Sequence, residues 1–339
     1  MNTPTLTGPV LVMGAGSIGC WLGGLLQVAG AEVHYVGHAR MLTALQAHGL
    51  TLTDLDGGRM HLPAEQLHLH AKVPTGLAPA LVLLCVKSGA TTEAAAELGA
   101  RLPAGTLVLS MQNGVSNAAL AQSVAPRLTL LPGMVPFNVA EVGPGQLHRG
   151  TSGQLAVQDD PALAPLLPLF ERAGLPLDRQ SDLTAVQWGK LLLNLNNAVN
   201  ALSGLPLRAQ LLNRHYRVCT AALMDETLAV LRRAGIQPAA LSPLPPARVP
   251  MVLRLPTPLF RLVAARMLRI DDQARSSMAD DLARGRPTEI DAIQGEVLRL
   301  AASVGALART NARIAELVRA WPTRRRFFDG RALRQALEL

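Results

Sequence analysis

Aromatic residues are scarce, at 3% of the 339-residue chain. Lysine is scarcer still: of 32 basic residues only Lys72, Lys87 and Lys190 are lysines. With so few rings, a core must be built from Leu, Ala and Val. That argues against an all-β sandwich and for helices packed on helices or on a parallel sheet. The lack of lysine carries a different message. A chain that defaults to Arg keeps Lys by accident, or where a side chain must release a proton near neutral pH, which a guanidinium does not do. Lys87 and Lys190 are therefore candidates before any motif is read. Cysteine is also rare: Cys20, Cys85 and Cys219 are far apart, with no C-x-x-C. Neither a disulfide framework nor a zinc site is expected, and a reducing, cytoplasmic setting is the simpler reading.

Charge is missing altogether between Met1 and Glu32. The stretch has no basic n-region, so it does not read as a signal peptide. Gly14, Gly16, Gly19, Gly23 and Gly24 interrupt it as a spanning helix, so no membrane insertion is expected. What is abundant is hydrophobic residues, at 49%, against 17% charged. A chain of this length and composition buries a large core and divides into two domains. Its formal net charge of +8 favours anionic ligands such as phosphates and carboxylates. Nucleic acid is not expected, because the densest basic run, Arg324-Arg325-Arg326, is short, terminal and reads as a solvated tail.

Pro9-Val10-Leu11-Val12-Met13 is an apolar run suited to a buried parallel strand. It leads into Gly14-Ala15-Gly16-Ser17-Ile18-Gly19, then a helical pattern through Ala29, then a second strand at Glu32–Val36. Strand, G-x-G-x-x-G, helix and strand in one short unit is the context that makes this pattern informative. Gly14 permits the turn, Gly16 the approach of a pyrophosphate, and Gly19 close helix–sheet packing. The bland alternative is a glycine-rich turn with no ligand. An acid that would read ribose hydroxyls is missing from the end of the second strand, Val36-Gly37-His38-Ala39-Arg40. Arg40, with His38, suits a 2′-phosphate instead, which favours NADP over NAD.

Lys87 and Asn113 follow two more apolar runs, Ala80–Val86 and Leu107–Ser110. Ligands of open α/β sheets lie beyond such strand ends, although polar residues there also serve as turn formers. Strand-like segments at 128–135, 145–148 and 154–157 and a helix over 161–173 complete a first domain, residues 1–180. Helical patterns then cover 181–323, with residues 324–339 as the basic tail. One helix is expected from Asp182 to Leu202, carrying Lys190, Asn194 and Asn197 on one face of a leucine-rich run. That stripe reads either as a cleft wall with Lys190 as proton donor or as a structural set of hydrogen bonds. Further helices are expected over 214–234 and 270–284, the latter with Ser277 and Asp281 on one face. Glu289 falls in the first turn of another helix, where a capping carboxylate is the ordinary reading. Six prolines between Pro243 and Pro258 mark an irregular excursion or short helices.

Together these segments resemble the ketopantoate reductase (2-dehydropantoate 2-reductase) family. The resemblance rests on Gly14–Gly19, Val86-Lys87, Gln112-Asn113-Gly114, Trp188-Gly189-Lys190 through Asn194, Ser276-Ser277-Met278, and Thr288-Glu289-Ile290-Asp291. It implies a Rossmann-type doubly wound sheet followed by an all-α domain, and NADPH-dependent reduction of ketopantoate to pantoate. It further implies Lys190 as general acid and Glu289 as a second catalytic or positioning residue. Gly14, Ala15, Gly16, Ser17, Ile18, Gly19, His38, Arg40, Lys87 and Asn113 would hold the cofactor. Asn113, Lys190, Asn194, Asn197, Ser277 and Asp281 would hold a small 2-oxo acid. No metal is implied, and a homodimer is the assembly carried as a candidate. Three positions depart from the family pattern: His38 in place of Arg, Ala198 in place of a second Asn, and Ala274-Arg275 where an Asn precedes the serines. The competing readings are a reductase of another 2-oxo acid, a non-catalytic NADPH sensor and, more distantly, an imine reductase or opine-type dehydrogenase.

Overall fold

The computed structural model describes residues 8–265, 268 and 273–339. It divides into a unit ending at Leu183 and a second beginning at Thr184. Among the described residues the first unit carries β1 (Val10–Met13), β2 (Val33–Val36), β3 (Leu50–Asp54), β4 (Arg59–Leu62), β5 (His68–His70), β6 (Leu81–Leu84), β7 (Leu107–Ser110), β8 (Thr129–Met134), β9 (Val139–Gly143), β10 (Gln146–Arg149), β11 (Leu155–Gln158) and β12 (Leu177–Gln180). Its helices are α1 (Ser17–Val28), α2 (Ala39–His48), α3 (Thr91–Arg101), α4 (Asn117–Val124) and α5 (Leu167–Arg172). Eight strands form one sheet in the order β12-β11-β8-β7-β6-β1-β2-β5. Neighbours run parallel except β11 against β8. The other four make a small sheet, β4-β3-β10-β9.

The apolar runs become central strands because both faces of the large sheet are covered. Side chains alternate between two cores. Val10, Val12, Leu81, Leu83 and Leu109 pack with Trp21 and Leu22 of α1. Leu11, Met13, Val82, Leu84 and Val108 pack with Ala94 and Leu98 of α3 and Ala121 of α4. This is the doubly wound sheet expected from the sequence. One local difference has a physical cause. The helix expected over 161–173 is a 3₁₀ turn over Pro161–Leu166 and then α5, since Pro165 removes a backbone donor within the run. At the β5 rim, the His34 ring stacks between those of His68 (4.8 Å) and His70 (5.1 Å). Its Nδ1 lies 2.9 Å from Nε2 of His70, and its Nε2 lies 2.9 Å from Glu32.

Among the described residues, the regular elements of the second unit are all helices: α6 (Leu183–Asn194), α7 (Asn196–Ser203), α8 (Leu207–Leu212), α9 (Arg214–Arg233), α10 (Val249–Arg254), α11 (Thr257–Val263), α12 (Ser277–Ala283), α13 (Ile290–Ser303), α14 (Arg309–Arg324) and α15 (Gly330–Ala336). The single helix expected over 182–202 is interrupted at Leu195, whose carbonyl accepts from Nε2 of Gln294 (3.3 Å). A side chain entering the backbone ladder is a recognised cause of such breaks. Of the helix expected over 270–284, residues 270–272 lie outside the described residues. The helix begins only at Ser277 because Ser276 caps it, its hydroxyl accepting from the Ala279 amide (3.2 Å). The proline-rich excursion contains the short helices α10 and α11. Arg217, fully buried in α9, ties it down by donating to the carbonyls of Leu253 (2.9 Å), Leu211 (2.9 Å) and Leu255 (2.7 Å). Its guanidinium lies 4.1 Å from the centre of the Phe260 ring.

The tail expectation is corrected. Residues 330–336 form α15 against α9, capped by Asp329, with Leu333 and Leu337 buried at a four-residue spacing. The arginines around these leucines conceal an amphipathic stripe. Among the described residues, no helix is long and apolar enough to cross a membrane.

Candidate active site

In the first unit, three glycines of the β1–α1 turn have two kinds of cause. Gly14 has φ +111°, a region that disfavours a side chain, and a Cβ there would lie 2.5 Å from the Val86 nitrogen. A Cβ on Gly19 would lie 2.1 Å from the Gly14 carbonyl oxygen. The protein itself thus demands both. Gly16 is different: its backbone is extended (φ −99°, ψ −167°), and a Cβ there meets nothing within 4 Å. The Gly16 amide donates to the Gly14 carbonyl (2.7 Å), so nothing around position 16 requires glycine, whereas a phosphate approaching the Ser17 and Ile18 amides over it does. No side chain caps α1 and its first turn holds no acid, so its positive end is left to an anion. The turn therefore fits a dinucleotide pyrophosphate. Ala15 fixes the turn against the neighbouring strand by donating to the Val36 carbonyl (2.8 Å).

His38 is exposed at the N-cap of α2 without capping it. Arg40 stands in the first turn. Its guanidinium is held end-on by Glu141 of β9, Nη1 to Oε1 at 2.5 Å and Nη2 to Oε2 at 2.8 Å. Glu141 raises the Arg40 pKa. This carboxylate, 101 positions away in sequence, was not visible in the strand-end reading.

Lys87 and Asn113 follow adjacent strands β6 and β7, and a buried polar relay joins their loops. Ser110 donates to Gln112 Oε1 (2.8 Å), and Gln112 Nε2 donates to Thr91 Oγ1 (2.7 Å) and the Val86 carbonyl (2.9 Å). Thr91 donates to Asn117 Oδ1 (3.1 Å), and Asn117 Nδ2 donates to the Asn113 carbonyl (2.5 Å) and Ser88 Oγ (3.1 Å). Ser88 closes the ring by donating to the Asn113 carbonyl (3.2 Å). A satisfied buried network of this kind rigidifies what it holds. Sequence reasoning singled out the residues presented, not Gln112, Thr91, Asn117 and Ser88 beneath them.

In the second unit, Lys190 and Asn194 lie one turn apart on α6, and Asn197 follows on α7; all three are half-buried. Burial lowers the Lys190 ammonium to about 8, while the Glu289 carboxylate acts in the opposite direction. Glu289 is the N-cap residue of α13 rather than a member of its first turn, and its side chain makes no capping bond. The ordinary capping role is thereby set aside, and the carboxylate acts on Lys190 instead.

The neighbouring asparagines divide by role. Asn196 is bonded to Gln210 (3.2 Å) and Thr220 (2.7 Å). Asn200, fully buried, donates to the Leu205 carbonyl (2.9 Å) and accepts from the Ser276 amide (2.9 Å). These two are structural. The side-chain amides of Asn194 and Asn197 have no hydrogen-bond partner among the described residues. Ser277 is exposed at the start of α12, and Asp281, one turn later, is buried. At the departing positions, Ala198 is fully buried, and Ala274 uses its carbonyl to accept from the Leu207 amide (2.8 Å).

The ketopantoate reductase PanE/ApbA family model matches residues 10–161, and the model of that family's C-terminal region matches residues 182–321. A 2-dehydropantoate 2-reductase of Halobacterium salinarum is 28% identical over 331 residues, covering 91% of this chain and 97% of that protein. The crystal structure of a PanE/ApbA family ketopantoate reductase from Ralstonia eutropha is similar with a TM-score of 0.78 and 29% identity, over 93% of this chain and 99% of that one. D-mandelate dehydrogenase, solved with NADH and anilino(oxo)acetate, shares the fold with a TM-score of 0.76 at 21% identity, over 93% and 98% of the two chains. With both segments matched in order along nearly its whole length, the chain belongs to the ketopantoate reductase PanE/ApbA family of oxidoreductases.

Proposed function

We propose that the protein is a cytoplasmic, NADPH-dependent reductase that converts the 2-oxo acid ketopantoate to pantoate. The observation that carries the reading is the α6 face: a half-buried lysine under the influence of Glu289, with the unengaged amide of Asn194 one turn away. Carbonyl reduction needs a hydride donor and a proton donor. A dinucleotide held by Gly14–Gly19 would supply the hydride that the carbonyl carbon accepts. Lys190 stabilises the negative charge growing on the carbonyl oxygen and delivers the proton to it. Glu289 keeps the ammonium protonated near neutral pH, against the effect of burial. Asn194, Asn197, Ser277 and Asp281 orient the polar groups of the substrate. In the first unit Gly14–Gly19 hold the pyrophosphate, and His38 and Arg40 face the adenosine ribose. The clamped loops of Lys87 and Asn113 serve the nicotinamide end and the substrate. The names of the curated relatives support the substrate assignment.

One observation favours a second reading, a different 2-oxo acid on the same fold. Ala198 is fully buried and supplies no polar group where the family pattern has an asparagine. Initial rates of NADPH oxidation, compared across ketopantoate and 2-oxo acids lacking its 4-hydroxyl, decide between the two. Ketopantoate turning over with the highest kcat/KM supports the leading reading. Any other acid in first place sinks it while leaving the Lys190 chemistry intact.

A further inference from the structure

We infer that Glu141 sets the dinucleotide preference of this protein, tempering the pull of Arg40 on a 2′-phosphate so that NADH is accepted alongside NADPH. The inference rests on the dinucleotide reading above. The acid that reads ribose hydroxyls in NAD-binding folds normally ends the second strand of the motif. Here β2 ends in Val36 and runs on to Gly37, His38, Ala39 and Arg40. The structure delivers a carboxylate to that place from the small sheet instead. Glu141 belongs to β9, which packs beside α1, the helix that opens on the glycine turn. The Glu141 charge is felt at Cys20, one turn into that helix. Gly37 closes the other side, where a Cβ would lie 2.7 Å from that of Ala15 in the turn. The Arg40–Glu141 pair thus borders the dinucleotide turn at the end of β2.

The geometry of the pair decides its effect. Glu141 uses both oxygens on both terminal nitrogens of Arg40, at 2.5 and 2.8 Å, the fork that a phosphate would otherwise grip. Its side chain is 12% exposed, against 54% for Arg40. The carboxylate is therefore the largely buried member and the guanidinium the exposed one. A 2′-phosphate must share or displace that bond and must also sit beside a held negative charge. A 2′-hydroxyl meets neither penalty and donates to a carboxylate. In the chain as it stands, the two dinucleotides bind with affinities within about tenfold of each other, because the usual advantage of an Arg–phosphate pair is offset.

The test is titration of the whole protein with NADPH and separately with NADH, followed by nicotinamide fluorescence, for the unaltered chain, Glu141→Gln and Glu141→Ala. Both substitutions are expected to tighten NADPH by tenfold or more and to leave NADH within about twofold or weaken it. Having two substitutions of different size guards against a local packing defect, and agreement between them is part of the expected result. An unchanged ratio of affinities, or a loss of NADPH binding in both variants, overturns the inference. The second outcome would make Glu141 an orienting partner that helps Arg40 grip the phosphate. If neither dinucleotide binds the unaltered protein, the dinucleotide reading falls and takes this inference with it. A bound dinucleotide with an unmoved ratio sinks the inference alone.

Discussion

Replacing Lys190 by Arg is the sharpest probe of the proposed chemistry, because it keeps the charge and removes the ability to release a proton. The structure sets the magnitude. With burial lowering the ammonium to about 8, Lys190 is roughly 90% protonated at pH 7 and roughly 10% at pH 9. A lysine at its ordinary value of 10.5 stays about 97% protonated at pH 9. If Lys190 is the proton donor, kcat/KM at saturating NADPH falls about tenfold per pH unit above pH 8. Lys190→Arg abolishes that alkaline limb and lowers turnover by about 10²-fold or more, the usual scale for a lost general acid. NADPH titration should be unaffected, since the dinucleotide turn lies in the other unit. Glu289→Gln moves the limb to lower pH, because the carboxylate is what raises the ammonium. A rate that stays level to about pH 10, or an alkaline limb that survives in Lys190→Arg, would refute the assignment. Stability gives an independent reading. The folded pKa lies below the unfolded one, so the unfolded chain binds more protons between about pH 8 and 10.5. Folding stability should therefore rise with pH across that window, and Lys190→Met should flatten the slope in chemical denaturation.

Gly16→Ala should fold with an unaltered melting temperature yet lose dinucleotide affinity, whereas Gly14→Ala and Gly19→Ala should lose stability first; equal melting losses in all three would contradict the steric argument. Arg217→Met should lower stability by about 3–5 kcal/mol, because it strands two buried carbonyls and one part-buried one, and urea denaturation reads this directly. A loss near zero would mean that the 253–257 segment is held by other contacts. Burial, then His34 and His68, lower the His70 pKa, so its contribution to stability is complete above the unfolded value of 6.5 and is lost as pH falls below it. Thermal melts in mildly acidic buffer should show this decline, and His70→Asn should lessen it.

Much of the first unit was legible because its signals are local. The Val10–Met13 run, the spacing of Gly14, Gly16 and Gly19, and the strand-end positions of Lys87 and Asn113 all follow from periods of two or a few residues. Lys190 stood out as a candidate for an unusual reason, its rarity among arginines. What stayed hidden depends on distant partners. Glu141 faces Arg40 across 101 positions, and Gln294 meets Leu195 across 99. No pattern within one helix foretold that Leu195 would interrupt the expected run. Leu333 was hidden differently, because the surrounding arginines made an amphipathic helix look like a charged tail. Polarity alone could not separate Asn196 and Asn200, which are structural, from Asn194 and Asn197, since all four sit in one apolar run.

A sheet covered on both faces still has two rims, and the β5 rim bears on the solution behaviour of this protein. An unpaired strand edge is a template on which a second molecule can extend the sheet. Here that edge is three residues long, His68–His70, too short to offer a foreign strand more than a few amides. It also carries imidazoles stacked with His34. Acidification weakens the rim through His70 and places a charge on it, which deters the pairing of one loosened edge with another. Preparations taken below neutral pH should therefore lose activity by reversible opening of the β5 edge rather than by irreversible clumping, and light scattering recorded beside the melt would show which occurs.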